Sequence, residues 1–274
     1  MITHSISLIG RRDKNEDQHD IIINLNNKYE NMNNINFFGV YDGHGGKDVS
    51  KYLKENLSNY FTDKINQFNI SDSVNFKKYI EKIFDHLQSK LEIKFKNISY
   101  TIGSTALIII MFKHNNDIYS YVANIGDCRS ILCDSKNIPR QLTNDHKPNQ
   151  IKEKNRIQNL GGKIYFDGYD WRIGDLSVSR SFGDMDSTPF VTHNPEIFKY
   201  KIKKNDKFII IACDGLWDVM NNKSVTKFIL DKMKNIKITE MSRNSNNNIA
   251  FLLADYAIKK KHSTDNISII IIFL

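Results

Sequence analysis

The chain has 274 residues, a formal net charge of +8, and 40% hydrophobic and 26% charged residues. That balance belongs to a globular protein and excludes the disordered and fibrous classes. No apolar run approaches the ~18 residues of a membrane span, so no membrane partner is expected.

The basic excess does not point to nucleic acid. The lysines are scattered among acids, and the densest run, Lys259-Lys260-Lys261, falls at an expected helix end, where cations suit the macrodipole. The N-terminus lacks a basic segment followed by an apolar one, and Ile2 excludes myristoylation. Cys128, Cys133 and Cys213 have no metal-like spacing and read as free thiols in a reducing compartment. The expected location is the cytoplasm, with the nucleus left open. No oligomerisation signal is present, so a monomer is expected.

In chain order, strands are expected over 18–25 and 35–42, with the Asn-rich stretch Asn24 to Asn36 as the loop or hairpin turn between them. Val49, Tyr52, Leu53, Leu57, Tyr60 and Phe61 share one face of a helix over 48–61. The same period is stronger at Phe76, Tyr79, Ile80, Ile83, Phe84, Leu87 and Leu91. Residues 105–112 and 117–125 read as a strand pair across the turn Lys113-His114-Asn115-Asn116, and 130–133 with 139–142 as a short hairpin. Pro148, periodic Ile151 and Ile157, and Gly161-Gly162 describe a short helix with signals at both ends. Residues 163–200 are irregular and polar; a connection that long is functional or folded as short pieces. A strand over 207–213, a helix over 223–233, an Asn-rich loop at 244–248, a helix over 249–260 and a strand over 267–273 follow. With no repeat and no linker, the reading is one domain over 1–274: antiparallel strands in two packed sheets, covered by helices.

Acids punctuate this order. Asp42, Asp127 and Asp214 follow strand-like runs, with Asp218 just beyond; Glu16, Asp17 and Asp265 precede them. An antiparallel sheet brings such ends to one edge. Five to seven carboxylates there cannot all stay ionised without cations, and hard oxygen-seeking ions, Mg²⁺ or Mn²⁺, are the natural partners. Taken singly the motifs are weaker. VYDGHGG (40–46) offers Asp42, the Gly43 carbonyl and His44, but also reads as a Gly-rich turn. GRRDKNED (10–17) could set Arg12 against phosphate oxygens, or be a solvated charge run. TDN (264–266) could supply Asp265 or be an ordinary turn.

The series GRRDKNEDQ, VYDGHGG, IGSTA, VANIGDCRS, TNDHKP, RIQNLGG, LSVSRSFGD, ACDGLWDVM and TDNISIIII resembles, in order and spacing, the metal-dependent protein serine/threonine phosphatases of type 2C. The resemblance runs from about residue 5 to the C-terminus. It implies an α+β fold: a central antiparallel β-sandwich flanked by α-helices on both faces, four αββα layers, with a flap-like segment at about 150–190. It implies hydrolysis of phosphoserine and phosphothreonine in proteins by a metal-activated water at a binuclear Mg²⁺ or Mn²⁺ centre, with a weaker third ion.

Residue by residue, the resemblance puts Asp42 between both ions and the Gly43 carbonyl on one of them, with Asp214 and Asp265 on the other. Glu16, Asp17 and Asp218 match acids that hold metal-bound water, and Asp127 the acid of the third ion. Arg12 matches the phosphate-binding arginine and His44 the general acid. Thr105 and Arg180 lean toward structural roles. Cys128 stands where the family more often has serine, and the leading strand is expected to be short. The rival readings are a pseudophosphatase module, against which stand the intact Asp42, Asp214 and Asp265, and a phosphoesterase acting on a metabolite or nucleic acid.

Overall fold

The computed structural model describes residues 1–25, 35–64, 70–96, 100–239 and 246–274. The N-terminal half contains β1 (Ile2–Leu8), β2 (Gln18–Ile22), β3 (Asn36–Tyr41), β4 (Gly43–His44), α1 (Asp48–Lys64), α2 (Ser73–Phe95), β5 (Gly103–Ser104), β6 (Ala106–His114), β7 (Asp117–Ile125), β8 (Arg129–Cys133) and β9 (Pro139–Gln141). Then come α3 (Ile151–Asn159), β10 (Tyr165–Phe166), β11 (Trp171–Arg172), β12 (Phe182–Gly183), β13 (Glu196–Ile202), β14 (Phe208–Ala212), α4 (Asp214–Trp217), α5 (Asn222–Met233), α6 (Ile249–Lys260) and β15 (Ile267–Phe273).

Two five-stranded antiparallel sheets form the centre, in the orders β2-β3-β6-β7-β13 and β1-β15-β14-β8-β9. The apolar runs that close these strands are buried on both faces, and their side chains split by parity. Ile108 and Ile110 face α1 and α2, in a core with Leu53, Leu57, Ile80, Phe84 and Leu87. Their neighbours Ile109 and Met111 meet Ile209, Ile211, Ile270 and Ile272 between the sheets. Ile210, Ile269 and Ile271 face α5 and α6, against Val225, Ile229, Leu253 and Ala257. The layers are therefore helix, sheet, sheet, helix.

Local chemistry sets the element ends. Asp72 caps α2 by accepting from the amides of Val74 and Asn75, and Asn248 caps α6 by accepting from those of Ala250 and Phe251. Asn115 and Asn116 take the left-handed conformation that closes the β6–β7 hairpin.

Several expectations need correction. Residues 163–200 hold short strands and most of a seven-residue one, β13, which pairs along β7 from Glu196↔Asn124 to Ile202↔Ile118. Its three charged positions in EIFKYKI, Glu196, Lys199 and Lys201, hide the strand signal. The leading strand is not short: β1 pairs over seven residues with β15. Asp214, directly after β14, opens the one-turn helix α4. Ile151 faces solvent while Ile157 is buried. Part of the Asn-rich stretch 24–36 and of the loop 244–248 lies outside the described residues. Among the described residues, no helix is long and apolar enough to cross a membrane.

Candidate metal centre

The acids gather at one end of the sandwich, but from two sheets rather than one edge. Glu16 and Asp17 lead into β2, Asp42 follows β3 and Asp127 follows β7; Asp214 follows β14 in the other sheet, and Asp265 leads into β15. They open on a cleft of about 630 Å³. Arg12, Glu16, Asp42, Gly43, His44, Asp127, Asp214 and Asp265 all line it. Asp17 lies buried below, and Asp218 stands exposed at the side. The segment over 150–190 reaches the cleft through Arg172, Asp175, Leu176, Ser177 and Val178.

Among the described residues, two groups bring ligand atoms within 4.8 Å of one another: Asp17, Asp42 and Cys213, and Asp42, Asp127 and Asp214. Asp42 belongs to both. Glu16, Asp218 and Asp265 belong to neither. Asp265 is engaged instead by Arg12, whose Nη2 donates to its Oδ2 at 2.6 Å.

Electrostatics makes this cluster costly as bare protein. Burial drives the Asp42 carboxyl well above the usual carboxylate range, and Asp17, Asp214, Asp127 and Asp265 push it further. Asp214 rises for the same reason, burial first and then Asp127 and Asp218. Burial lifts Asp17 to about 6, against partial relief from Ser268, Cys213 and Asp42. Neither Asp17 oxygen, both buried, makes a hydrogen bond of good geometry, and neither does Asp127 Oδ2. The buried Asp17 oxygens, without a hydrogen bond of good geometry, and the two overlapping groups of ligand atoms fit a hard divalent cation.

Lys147, in the TNDHKP motif, joins the site without having been an expected member of it. Its ammonium lies 3.3 Å from Asp127 Oδ2 and 3.8 Å from Asp218 Oδ1. Burial disfavours its charge, but Asp127, Asp218, Asp214 and Asp170 outweigh burial and raise its pKa.

His44 sits on the small sheet β12-β5-β4. Its Nε2 pairs with Oδ2 of Asp184 at 2.7 Å, and Ser181 Oγ donates to the same oxygen. Burial works against a charged His44 ring, yet the Asp184 bond and the Asp127 and Glu16 carboxylates raise its pKa. Asp184 follows FG in the SVSRSFGD motif, where reading the sequence assigned it no chemistry.

Asn266 ties the two ends of the site together. Its Nδ2 donates to the carbonyls of Ile9 and Lys14, and its Oδ1 accepts from the amide of Glu16. This fixes the loop carrying Arg12 against the start of β15. Gly10 permits the approach: it takes φ +66°, and a Cβ there would sit 1.9 Å from the Asp265 carbonyl oxygen. Thr105 lines the cleft, and its Oγ1 accepts from the Asp42 amide at 3.1 Å. Arg180 stands outside the cleft lining and donates to Glu153 and to the Asn194 carbonyl. All three cysteines are buried and free, and Cys128 meets Thr105 Oγ1 at 3.1 Å.

Comparison with known proteins follows the same lines. The family described as Protein phosphatase 2C matches residues 4–267. A PP2C-like domain-containing protein of Acanthamoeba polyphaga mimivirus is 48% identical over 168 residues, covering 56% of this chain and 92% of that protein. Protein phosphatase 1L of Bos taurus is 33% identical, over 91% of this chain and 71% of its own length. The crystal structure of a serine-threonine phosphatase 2C from Toxoplasma gondii shares the fold, with TM-score 0.81 and 21% identity, covering 99% of this chain and 94% of that one.

Proposed function

The chain belongs to the protein phosphatase 2C family, and from that premise we propose that it hydrolyses phosphoserine and phosphothreonine in proteins at a centre of two divalent ions, Mg²⁺ or Mn²⁺. The observation that supports this most is Asp42, shared by two acidic groups above the unpartnered oxygens of Asp17. Asp17, Asp42, Asp127 and Asp214 would hold the ions, with the Gly43 carbonyl, Glu16, Asp218 and Asp265 around them. When bound, such ions polarise phosphoryl oxygens and lower the pKa of the attacking water.

The chain's own groups do the rest. Arg12, exposed at the cleft mouth, offers a planar fork to the equatorial phosphoryl oxygens in place of the Asp265 carboxylate. Lys147 limits the repulsion at Asp127 and Asp218. The leaving group is a serine or threonine alkoxide, a strong base that needs a proton as its bond to phosphorus breaks. His44 keeps a proton because its pKa is raised, and Asp184 fixes the ring. Such general acid help is worth roughly 10²–10⁴-fold. Phosphorylated proteins are the partners on this reading. Low cysteine reactivity from burial suits a reducing cytoplasm.

The test is release of phosphate from a phosphothreonine peptide with Mn²⁺ or Mg²⁺. Activity should vanish in EDTA, return with the ion, and be nearly abolished, with weakened Mn²⁺ binding, in Asp214→Ala. Full activity in that variant would reject the assigned centre.

A further inference from the structure

At the far end of the sandwich lies a second concavity, of about 680 Å³, between α5 and the β8–β9 hairpin. It is separate from the acidic cleft. β14, Phe208–Ala212, separates Lys207 at this groove from Asp214 at the cleft, its five residues spanning about 17 Å at the rise of an extended strand.

The groove is apolar below and basic above. Ile138, Pro139, Leu230 and Met233 form its floor, and Ile138 is 55% exposed. Lys207, Lys223, Lys227 and Lys234 stand around it, against one acid, Asp231. That acid is already taken by Lys234 at 2.7 Å. Lys207 donates to Asn137. Among the described residues, no carboxylate forms an ion pair with Lys223 or Lys227. The buried hydroxyl of Thr226, between them on the same wall, finds no hydrogen-bond partner there either.

The arrangement works against the helix that carries it. Lys223 and Lys227 are spaced i, i+4, where like charges repel. Lys223 also lies in the first turn of α5, at the positive end of the helix dipole. Lys234 and, more weakly, Lys227 hold the Asp231 carboxyl below its usual range, but that is one acid for four lysines, and an incoming anion supplies the charge this wall lacks. The apolar floor argues against a nucleic-acid backbone, which would present phosphates and sugars to it, and favours a peptide that brings both charge and apolar side chains.

We propose that this groove docks an acidic segment of a protein partner, its apolar side chains on Ile138, Leu230 and Met233 and its carboxylates on Lys223 and Lys227. The site acts as a tether remote from the chemistry, raising the local concentration of a bound phosphoprotein at the cleft. The tethering role rests on the phosphatase reading of the cleft, whereas the docking itself does not.

The test is a selection from random dodecapeptides displayed on phage, run in parallel on the whole chain and on its Lys223→Glu, Lys227→Glu double variant. Both side chains are exposed, so the variant should fold and hydrolyse p-nitrophenyl phosphate as the parent does. The expected result is enrichment of sequences joining Asp or Glu to Leu, Ile or Phe, bound at least about tenfold more weakly by the variant and weakened by salt. No enrichment, enriched peptides without acids, or equal binding by the variant would overturn the proposal. So would oligo(U) RNA or phosphatidylserine vesicles binding this face more tightly than the selected peptides, with the same loss in the variant.

Discussion

His44 Nε2 and Asp184 Oδ2 meet at 2.7 Å directly over Gly103, a residue with no side chain to separate them. A Cβ on Gly103 would stand 2.1 Å from that carboxylate oxygen and 2.4 Å from that ring nitrogen. Three segments, at the ends of β4, β5 and β12, thus converge on one hydrogen bond.

If His44 delivers the proton, its loss must depend on the leaving group. His44→Ala should cost roughly 10²-fold or more on a phosphothreonine peptide, and much less on p-nitrophenyl phosphate, whose phenolate leaves without help. Asp184→Asn should move both substrates the same way by a smaller factor and shift the alkaline limb of the pH profile to lower pH, because His44 loses the partner that raises its pKa. Steady-state rates on the two substrates decide it. Equal losses would remove His44 from the acid role.

Gly103→Ala should act through the same pair. The added methyl forces His44 and Asp184 apart, an overpacking cost of about 1–3 kcal/mol. Thermal melts should show that loss, and the two-substrate comparison should reproduce the selectivity of His44→Ala. A stable variant with unchanged rates would contradict the geometry.

The bare acidic cluster should make stability fall as pH rises. Asp17 has a folded-state pKa of about 6 against an ordinary 3.8, so between those values the folded chain keeps a proton that the unfolded chain has released. Its contribution is present below 3.8 and lost as pH rises through 6; a difference of about two pH units is worth about 3 kcal/mol. Melting temperatures in EDTA should therefore decline from pH 5 to pH 7.5, and Mg²⁺ or Mn²⁺ should abolish the decline. A flat profile in EDTA would count against the cluster.

Glu153 has the opposite sign. Burial raises its pKa, but the bonds from Arg180 and the nearby Arg156 outweigh burial and hold it at about 2, against 4.5 ordinarily. Its stabilisation is present above 4.5 and lost as pH falls towards 2, and amounts to about 3 kcal/mol. Because Glu153 ties α3 to Ser179 and Arg180, Glu153→Gln should be less stable than the parent at neutral pH and converge with it near pH 2. Urea melts across pH would show whether the curves meet.

These contacts also explain what could be read in advance. Strands such as 208–212 and 267–273 are buried on both sides, so their apolar runs are unmistakable, and the acids beside them, Asp214 and Asp265, locate the site. The helices announce themselves by period, as in Phe76 to Leu91. What stayed hidden depends on pairings across the chain. The Arg12–Asp265 pair joins residues 253 positions apart, and the Asp184–His44 pair joins residues 140 apart. Lys147 has no local signal, because its partners Asp127 and Asp218 arrive from different sheets. β13 escaped because an edge strand with one wet face tolerates Lys199 and Lys201.

The position of β15 has a consequence for biogenesis. It fills the slot between β1 and β14, although β1 is made some 260 residues earlier. At ribosomal speeds of roughly 5–20 residues per second, the first strand waits on the order of tens of seconds for its neighbour. Throughout that interval its edge is bare, and the loop with Arg12 lacks the Asn266 side chain that anchors it. A nascent chain that has not yet made β15 therefore lacks both Asp265 at the cleft and the anchor of the Arg12 loop, and its site is incomplete.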